Sequence, residues 1–251
     1  MPSSIPQVLR KLGLFSSSCL LGAFLTACGT RPPLANQGLT PQSCMAVAEA
    51  YRTHVWMPTT ANVRHTRDAD GISVDTPDTG YRPGSFCPGY WTPGHAALGI
   101  PYQWGGFCTP AEFDTGVRAG LAAGDVYTAE KRRLLDAAVS RHACGIDCSG
   151  FISRCWQLPR SYSTRELPGI CRVIPAQQLR PGDVLNTVNA HCILFGGWVD
   201  ASQTSFYAYH TGSPPHWRVV RQVMGLAPLL AQGFVPLRYV GMEDRPLHRA
   251  R

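Results

Sequence analysis

Near Val184 the apolar residues of this chain change their spacing. Upstream they recur at helical intervals: Val47, Tyr51 and Val55 stand four apart in residues 42–56, and Leu134, Leu135, Ala138 and Val139 form a stripe in residues 128–142. A third helix is expected to start at Cys148, with Phe151, Ile152, Cys155 and Trp156 on its inner face. Pro58 stops the first of these helices, and Thr128 is placed to cap the second. Downstream the apolar residues come in short β-branched and aromatic runs, at 184–185, 191–199, 205–210 and 217–220. A turn over residues 200–203 would fold the run 205–210 back beside 191–199. Helices first and antiparallel strands after is an α+β order, with helices packed on a small antiparallel sheet.

The first residues read differently. Arg10 and Lys11 precede an apolar stretch, residues 12–25, that is too short to span a bilayer and has the anatomy of an export signal. It ends Leu25-Thr26-Ala27-Cys28, which resembles the bacterial lipobox and so implies lipidation of Cys28. No Asp follows that Cys, and by analogy with Gram-negative lipoproteins this implies a lipid anchor in the outer membrane, with the protein on its periplasmic side. Loss of Arg10 and Lys11 with the signal lowers the formal charge of +7 by two and still leaves a basic protein suited to an anionic partner. Nucleic acid is not expected, because no Lys/Arg run is interleaved with aromatics. The expected organisation is a signal peptide at 1–27, a Pro/Gly/Asn-rich tether at 28–40, an N-terminal extension at 41–99 and a catalytic domain at 100–245, as a monomer. Turn signals such as Asp70-Gly71 and Thr92-Pro93-Gly94 mark residues 59–99 as irregular. An exported chain with 10 cysteines makes disulfides plausible, with Cys192 expected to stay free inside its apolar strand.

Gly145-Ile146-Asp147-Cys148-Ser149-Gly150-Phe151 carries the chemistry. A Cys at a helix N-terminus meets unpaired backbone N–H groups and the positive end of the helix dipole, which favour thiolate over thiol. The same N–H groups can hold an oxyanion, and the small Ser149 and Gly150 leave room for a substrate backbone. Of the eight histidines, His191 is the candidate base, because it opens an apolar strand that can present its ring rigidly. His210, at the end of the next strand, is the candidate group that orients His191. Asp147 is expected to cap the helix. Neither a metal nor another cofactor is expected, since His142, Cys144 and Cys148 lack the paired Cys spacing of structural zinc sites.

In order along the chain, Tyr102-x-Trp104-Gly105-Gly106, Asp147-Cys148-Ser149-Gly150-Phe151, Leu179-Arg180-Pro181-Gly182-Asp183-Val184 and His191 at the head of a strand resemble the NlpC/P60 cysteine peptidases. The resemblance covers roughly residues 100–215. It implies a papain-like α+β fold and hydrolysis of amide bonds in peptidoglycan stem peptides through a thioester. Cys148, His191 and His210 would be its triad, with Tyr102 and Ser149 beside the substrate. An insert at about 107–144 separates two motifs that the family joins by a short loop. Because its ends must converge, Cys108 and Cys144 are expected to bridge its base. Two other readings stand beside the peptidase: a non-catalytic wall-binding lipoprotein using the same cleft, and a thiol hydrolase acting on a protein amide or a lipid ester.

Overall fold

A computed structural model describes residues 38–81, 89–212 and 214–242, and these belong to one compact unit. The expected signal, Cys28, most of the tether and Cys87 lie outside the described residues. The α+β order read from the sequence is present. Six strands form the main sheet: β1 (Cys171–Val173), β2 (Val184–Thr187), β3 (His191–Trp198), β4 (Ser205–His210), β5 (Val220–Gly225) and β6 (Val235–Tyr239). Their order is β5-β4-β3-β2-β6-β1, and every neighbouring pair is antiparallel. The turn expected at 200–203 closes the β3–β4 hairpin, where the Asp200 carboxylate accepts the Thr204 N–H at 3.2 Å. The run expected at 217–220 joins the sheet late, because Trp217 adopts a left-handed conformation (φ 49°) and pairing with β4 starts only at Val220.

Alternation gives the sheet two apolar faces. Cys192, Leu194 and Tyr209 join the larger core, while Ile193, Phe195, Phe206 and Ala208 form a second core with α5 (Leu226–Ala231). Against the first face lies α4 (Cys148–Cys155), whose Phe151, Ile152 and Cys155 are fully buried, as is Trp156 just beyond it. Each large apolar side chain buried here contributes about 1.5–3 kcal/mol. The Trp156 indole N–H donates to the Gly182 carbonyl at 2.9 Å, and the Asp183 carboxylate takes two bonds from Arg238, at 2.8 and 2.7 Å. The Leu179-to-Val184 motif is therefore the joint between α4 and the sheet.

On the other side of α4 sits α1 (Pro41–Thr53), capped by Thr40 with Pro41 in its first turn. Its buried stripe is Cys44, Ala48 and Tyr51 rather than Val47, Tyr51 and Val55. Small side chains at two of these positions let it approach α4, and Tyr51 meets Phe151 edge-on with ring centroids 5.8 Å apart. The helix ends before Val55, which pairs with Leu98 in a two-stranded ribbon and is 65% exposed.

The insert holds two helices where one was expected. α2 (Pro110–Arg118) is closed by a capping box between Thr109 and Glu112 and buries Phe113, Gly116 and Val117. α3 (Ala129–Leu134) is capped by Thr128 but gives way to a 3₁₀ turn, Leu135–Ala138, and does not reach residue 142. Of its expected stripe only Ala138 is buried; Leu134 and Leu135 are exposed. The residue that α3 buries is Lys131, in an ion pair with Asp125. Among the described residues no helix is long and apolar enough to cross a membrane.

Candidate active site

The two ends of the insert converge at the start of α4. Tyr102 and Phe107 both bridge to Ile146, and the Asp147 N–H donates to the Gly106 carbonyl at 3.0 Å. A Cβ on Gly150 would stand 2.4 Å from that carbonyl, so this close approach requires glycine there. Asp147 caps α4: its carboxylate accepts from the Gly150 N–H and from the Ser149 hydroxyl, the latter at 3.2 Å. Cys148 is thereby fixed as the first helical residue, partly exposed on the floor of a cleft of about 1050 Å³. Tyr102, Ser149 and His191 line the same cleft.

Thr187 pairs with His191 across the β2–β3 hairpin, which sets the imidazole at the end of the sheet next to α4. Leu194 stands opposite Tyr209, so His210 falls on the same pleat parity as His191. The two rings meet edge-on, with His191 Nε2 3.4 Å from His210 Nδ1. With Nε2 engaged there, Nδ1 is the nitrogen left for the sulfur. His210 is buried (1% exposed), and its other ring nitrogen contacts the Gln222 side-chain amide on β5. Turned so that its oxygen faces the ring, that amide accepts the His210 Nε2–H and leaves Nδ1 free to accept from His191. Burial holds the His210 pKa down to about 3, so the ring is neutral.

The Cys148 thiol is held well below its ordinary pKa. The largest contribution is a hydrogen bond from the Cys192 S–H; burial opposes it, and the His191 ring and the Cys192 N–H add to it. Burial, followed by the neighbouring Cys148 charge, pushes the Asp147 carboxyl up to about 7. The Tyr102 hydroxyl is driven well above the usual tyrosine range by the same two causes in the same order. A partly exposed thiolate beside an imidazole, with protonated groups around it, is equipped for nucleophilic attack on a carbonyl.

The cleft has two further walls. One comes from the insert: the Trp104 indole N–H donates to the Leu135 carbonyl at 3.1 Å, and Val139 packs over Gly105. The other joins residues 163–166 to the β2–β3 turn, where Arg165 bonds to Asn189 Oδ1 and the Asn189 N–H donates to Thr164 at 3.1 Å. Chemical patterning singled out neither Gln222 nor these walls. Ser149 lines the cleft, with its hydroxyl turned onto the Asp147 cap.

The expected Cys108–Cys144 bridge is not formed, and all seven described cysteines are free thiols. Register explains it: the Cys108 N–H bonds to Gly145, and the Cys144 sulfur turns instead toward the Ala122 carbonyl at 3.6 Å, beneath α2. His142, Cys144 and Cys148 form no group with metal-ligand spacing. Among the described residues such a group is Asp68, Asp70 and His142, where Arg141 already holds the Asp70 carboxylate with bonds of 2.7 and 2.8 Å. No family model matches the chain, and no curated protein matches it.

Proposed function

We propose that this protein is a papain-like cysteine hydrolase of the NlpC/P60 type that cuts amide bonds in peptidoglycan stem peptides. The observation that carries the reading is the line Cys148, His191, His210 at one end of a cleft, with the sulfur at a helix N-terminus. The order of the four motifs supplies the substrate class.

In this reading the Cys148 thiolate attacks the carbonyl carbon and the resulting oxyanion needs donors. Asp147 occupies the N–H groups of Ser149 and Gly150, so the Cys148 N–H, first in its helix, is the backbone donor left. Tyr102, kept protonated by burial, offers a second donor from the cleft floor. His191, carrying the proton it took from the Cys148 thiol, then protonates the leaving amine as the C–N bond breaks and a thioester remains on Cys148, and water activated by the now neutral imidazole releases the acid. His210 holds the ring throughout. The basic balance of the chain suits an anionic wall polymer, and the lipobox at Leu25-Thr26-Ala27-Cys28 supports an anchor in the outer membrane.

Purified sacculi incubated with the wild type should release muropeptides that mass analysis resolves, and Cys148→Ala should release none. Sacculi that bind both proteins and yield nothing from either would replace the hydrolase with a wall-binding protein. In cells, Cys28→Ala should leave the membrane fraction; unchanged fractionation would remove the anchor.

A further inference from the structure

Cys192 stands directly behind the proposed nucleophile, and packing alone does not account for it. The position follows His191 in β3, and strand alternation turns it toward α4, away from Ile193 and Phe195. There its side chain is fully enclosed (0% exposed) in the core cluster against which Cys148 packs, with its S–H directed to the Cys148 thiolate. Cys148 itself opens on the cleft. One sulfur is reachable from solvent, and the second lies behind it on the protein side.

We propose that Cys192 is a resolving thiol: when a hydroperoxide oxidises Cys148, Cys192 closes onto it in a reversible Cys148–Cys192 disulfide. In the first step the Cys148 thiolate attacks the peroxide. An S–O bond forms, the O–O bond breaks, and the departing oxygen takes up a proton, leaving a sulfenic acid. In the second step the Cys192 sulfur attacks the Cys148 sulfur. The S–S bond forms, the S–O bond breaks, and the Cys192 proton leaves with the hydroxyl as water. Together the thiols lose two electrons and two hydrogens, and the hydroperoxide is reduced to an alcohol and water. The disulfide removes the nucleophile from service and spares it the irreversible sulfinic and sulfonic acids.

The other described thiols do not share this arrangement. Cys44 and Cys155 also neighbour each other, but both are fully buried, and Cys144 is buried beneath α2, so an oxidant has no open path to any of the three. Cys108 and Cys171 are partly exposed, yet burial raises both of their pKa values, Cys171 to about 12, which leaves them protonated and slow to oxidise.

The test uses the full chain, reduced, desalted and exposed to about ten molar equivalents of hydrogen peroxide, enough to carry an unprotected thiol to the sulfonic acid, followed by acid quenching, alkylation and peptide mapping by mass. The wild type should lose two hydrogens, with Cys148 and Cys192 in one linked peptide. Alkylatable Cys148 should fall at least ~10-fold and return after a thiol reductant. In Cys192→Ser, whose hydroxyl can still donate to the Cys148 sulfur, the same exposure should drive Cys148 to sulfinic and sulfonic acids that the reductant does not reverse. A wild-type Cys148 that over-oxidises while Cys192 remains alkylatable would overturn the proposal, as would a linkage mapped to another pair. The wild-type map decides the matter even where a Cys192 variant misfolds. Because the readout is mass, it is separate from the hydrolase reading: a protein inactive on sacculi can still form the linkage, and an active one can lack it.

Discussion

His210 is enclosed while His191 borders the cleft, so the two imidazoles meet protons differently. With its pKa held near 3, His210 is neutral at neutral pH and can only accept a bond and steady the ring beside it. Its share of stability is full above the ordinary histidine value and falls as pH drops from about 6.5 toward 3, since only the unfolded state then takes up the proton. On sacculi, His191→Ala should lower turnover roughly 10³- to 10⁴-fold, as loss of a general base does. His210→Ala should cost less, on the order of 10- to 100-fold, and His210→Gln should recover part of that while keeping the limbs of the wild-type pH–rate profile. A His210 variant that shifts those limbs would make it a titrating participant and end the orienting assignment. Cys148, His191 and His210 were legible because each signal is local: a helix start, a strand start, and a strand end brought back by one turn. Gln222 was not, because it reaches His210 only through the register of β5, which sets Ala208 opposite Gln222 and His210 opposite Val220. Cys192 was legible as a buried thiol, but what it is buried against depends on where α4 docks.

At the scale of the element, α4 is governed by a cap that is also a charge. Asp147 bonds the first turn of the helix, yet its carboxyl is buried beside a thiolate, and burial first, then that charge, raises its pKa to about 7. The alkylation rate of Cys148 should therefore rise with pH in two steps, one well below the ordinary thiol value and a smaller one near 7 as Asp147 ionises. Asp147→Asn keeps the cap and removes the charge, so the second step should vanish while the first, which occurs where Asp147 is already protonated, should stay in place. Asp147→Ala should also lose about 1 kcal/mol of stability with the cap. An unchanged two-step profile in the Asn variant would assign the step near 7 to another group. α4 could be read in advance because its cap, its small residues and its apolar stripe agree. α1 was read with the wrong stripe because Cys44 and Ala48, its actual contacts, carry little hydrophobic signal. β6 was missed because Pro236 argues against an interior strand; it is accommodated there with its carbonyl still accepting the Ile174 N–H at 3.1 Å.

Over the whole molecule, the insert is the least legible part and the one that gives the cleft its shape. Its apolar residues suggested a single helix packed inward; instead Leu135 and Val139 line the cleft, and a charged residue anchors the wall. Hydrophobic period cannot report this, because it assumes that the buried face is the apolar one. Lys131 is 2% exposed and Asp125 is fully buried, and the Asp125 main chain bonds to both Tyr102 and Trp104 at 2.8 Å. The pair therefore clips α3 to the segment that carries the cleft-floor tyrosine. Removing one partner leaves a buried charge uncompensated, so Lys131→Met should cost roughly 3–5 kcal/mol at neutral pH. The sign of the pH dependence follows from Asp125, whose folded pKa is raised to about 6 by burial despite the ammonium. A carboxylate raised above its unfolded value gives its full stability below about 4 and loses it as pH climbs toward 6. Without Lys131 that loss continues to higher pH, so the deficit of Lys131→Met should shrink on acidification. Adding Asp125→Asn should restore most of the neutral-pH stability. Denaturant unfolding of the wild type, Lys131→Met, Asp125→Asn and the double variant at pH 5 and pH 8 checks this, and a deficit equal at both pH values would show that Lys131 acts through packing rather than through Asp125.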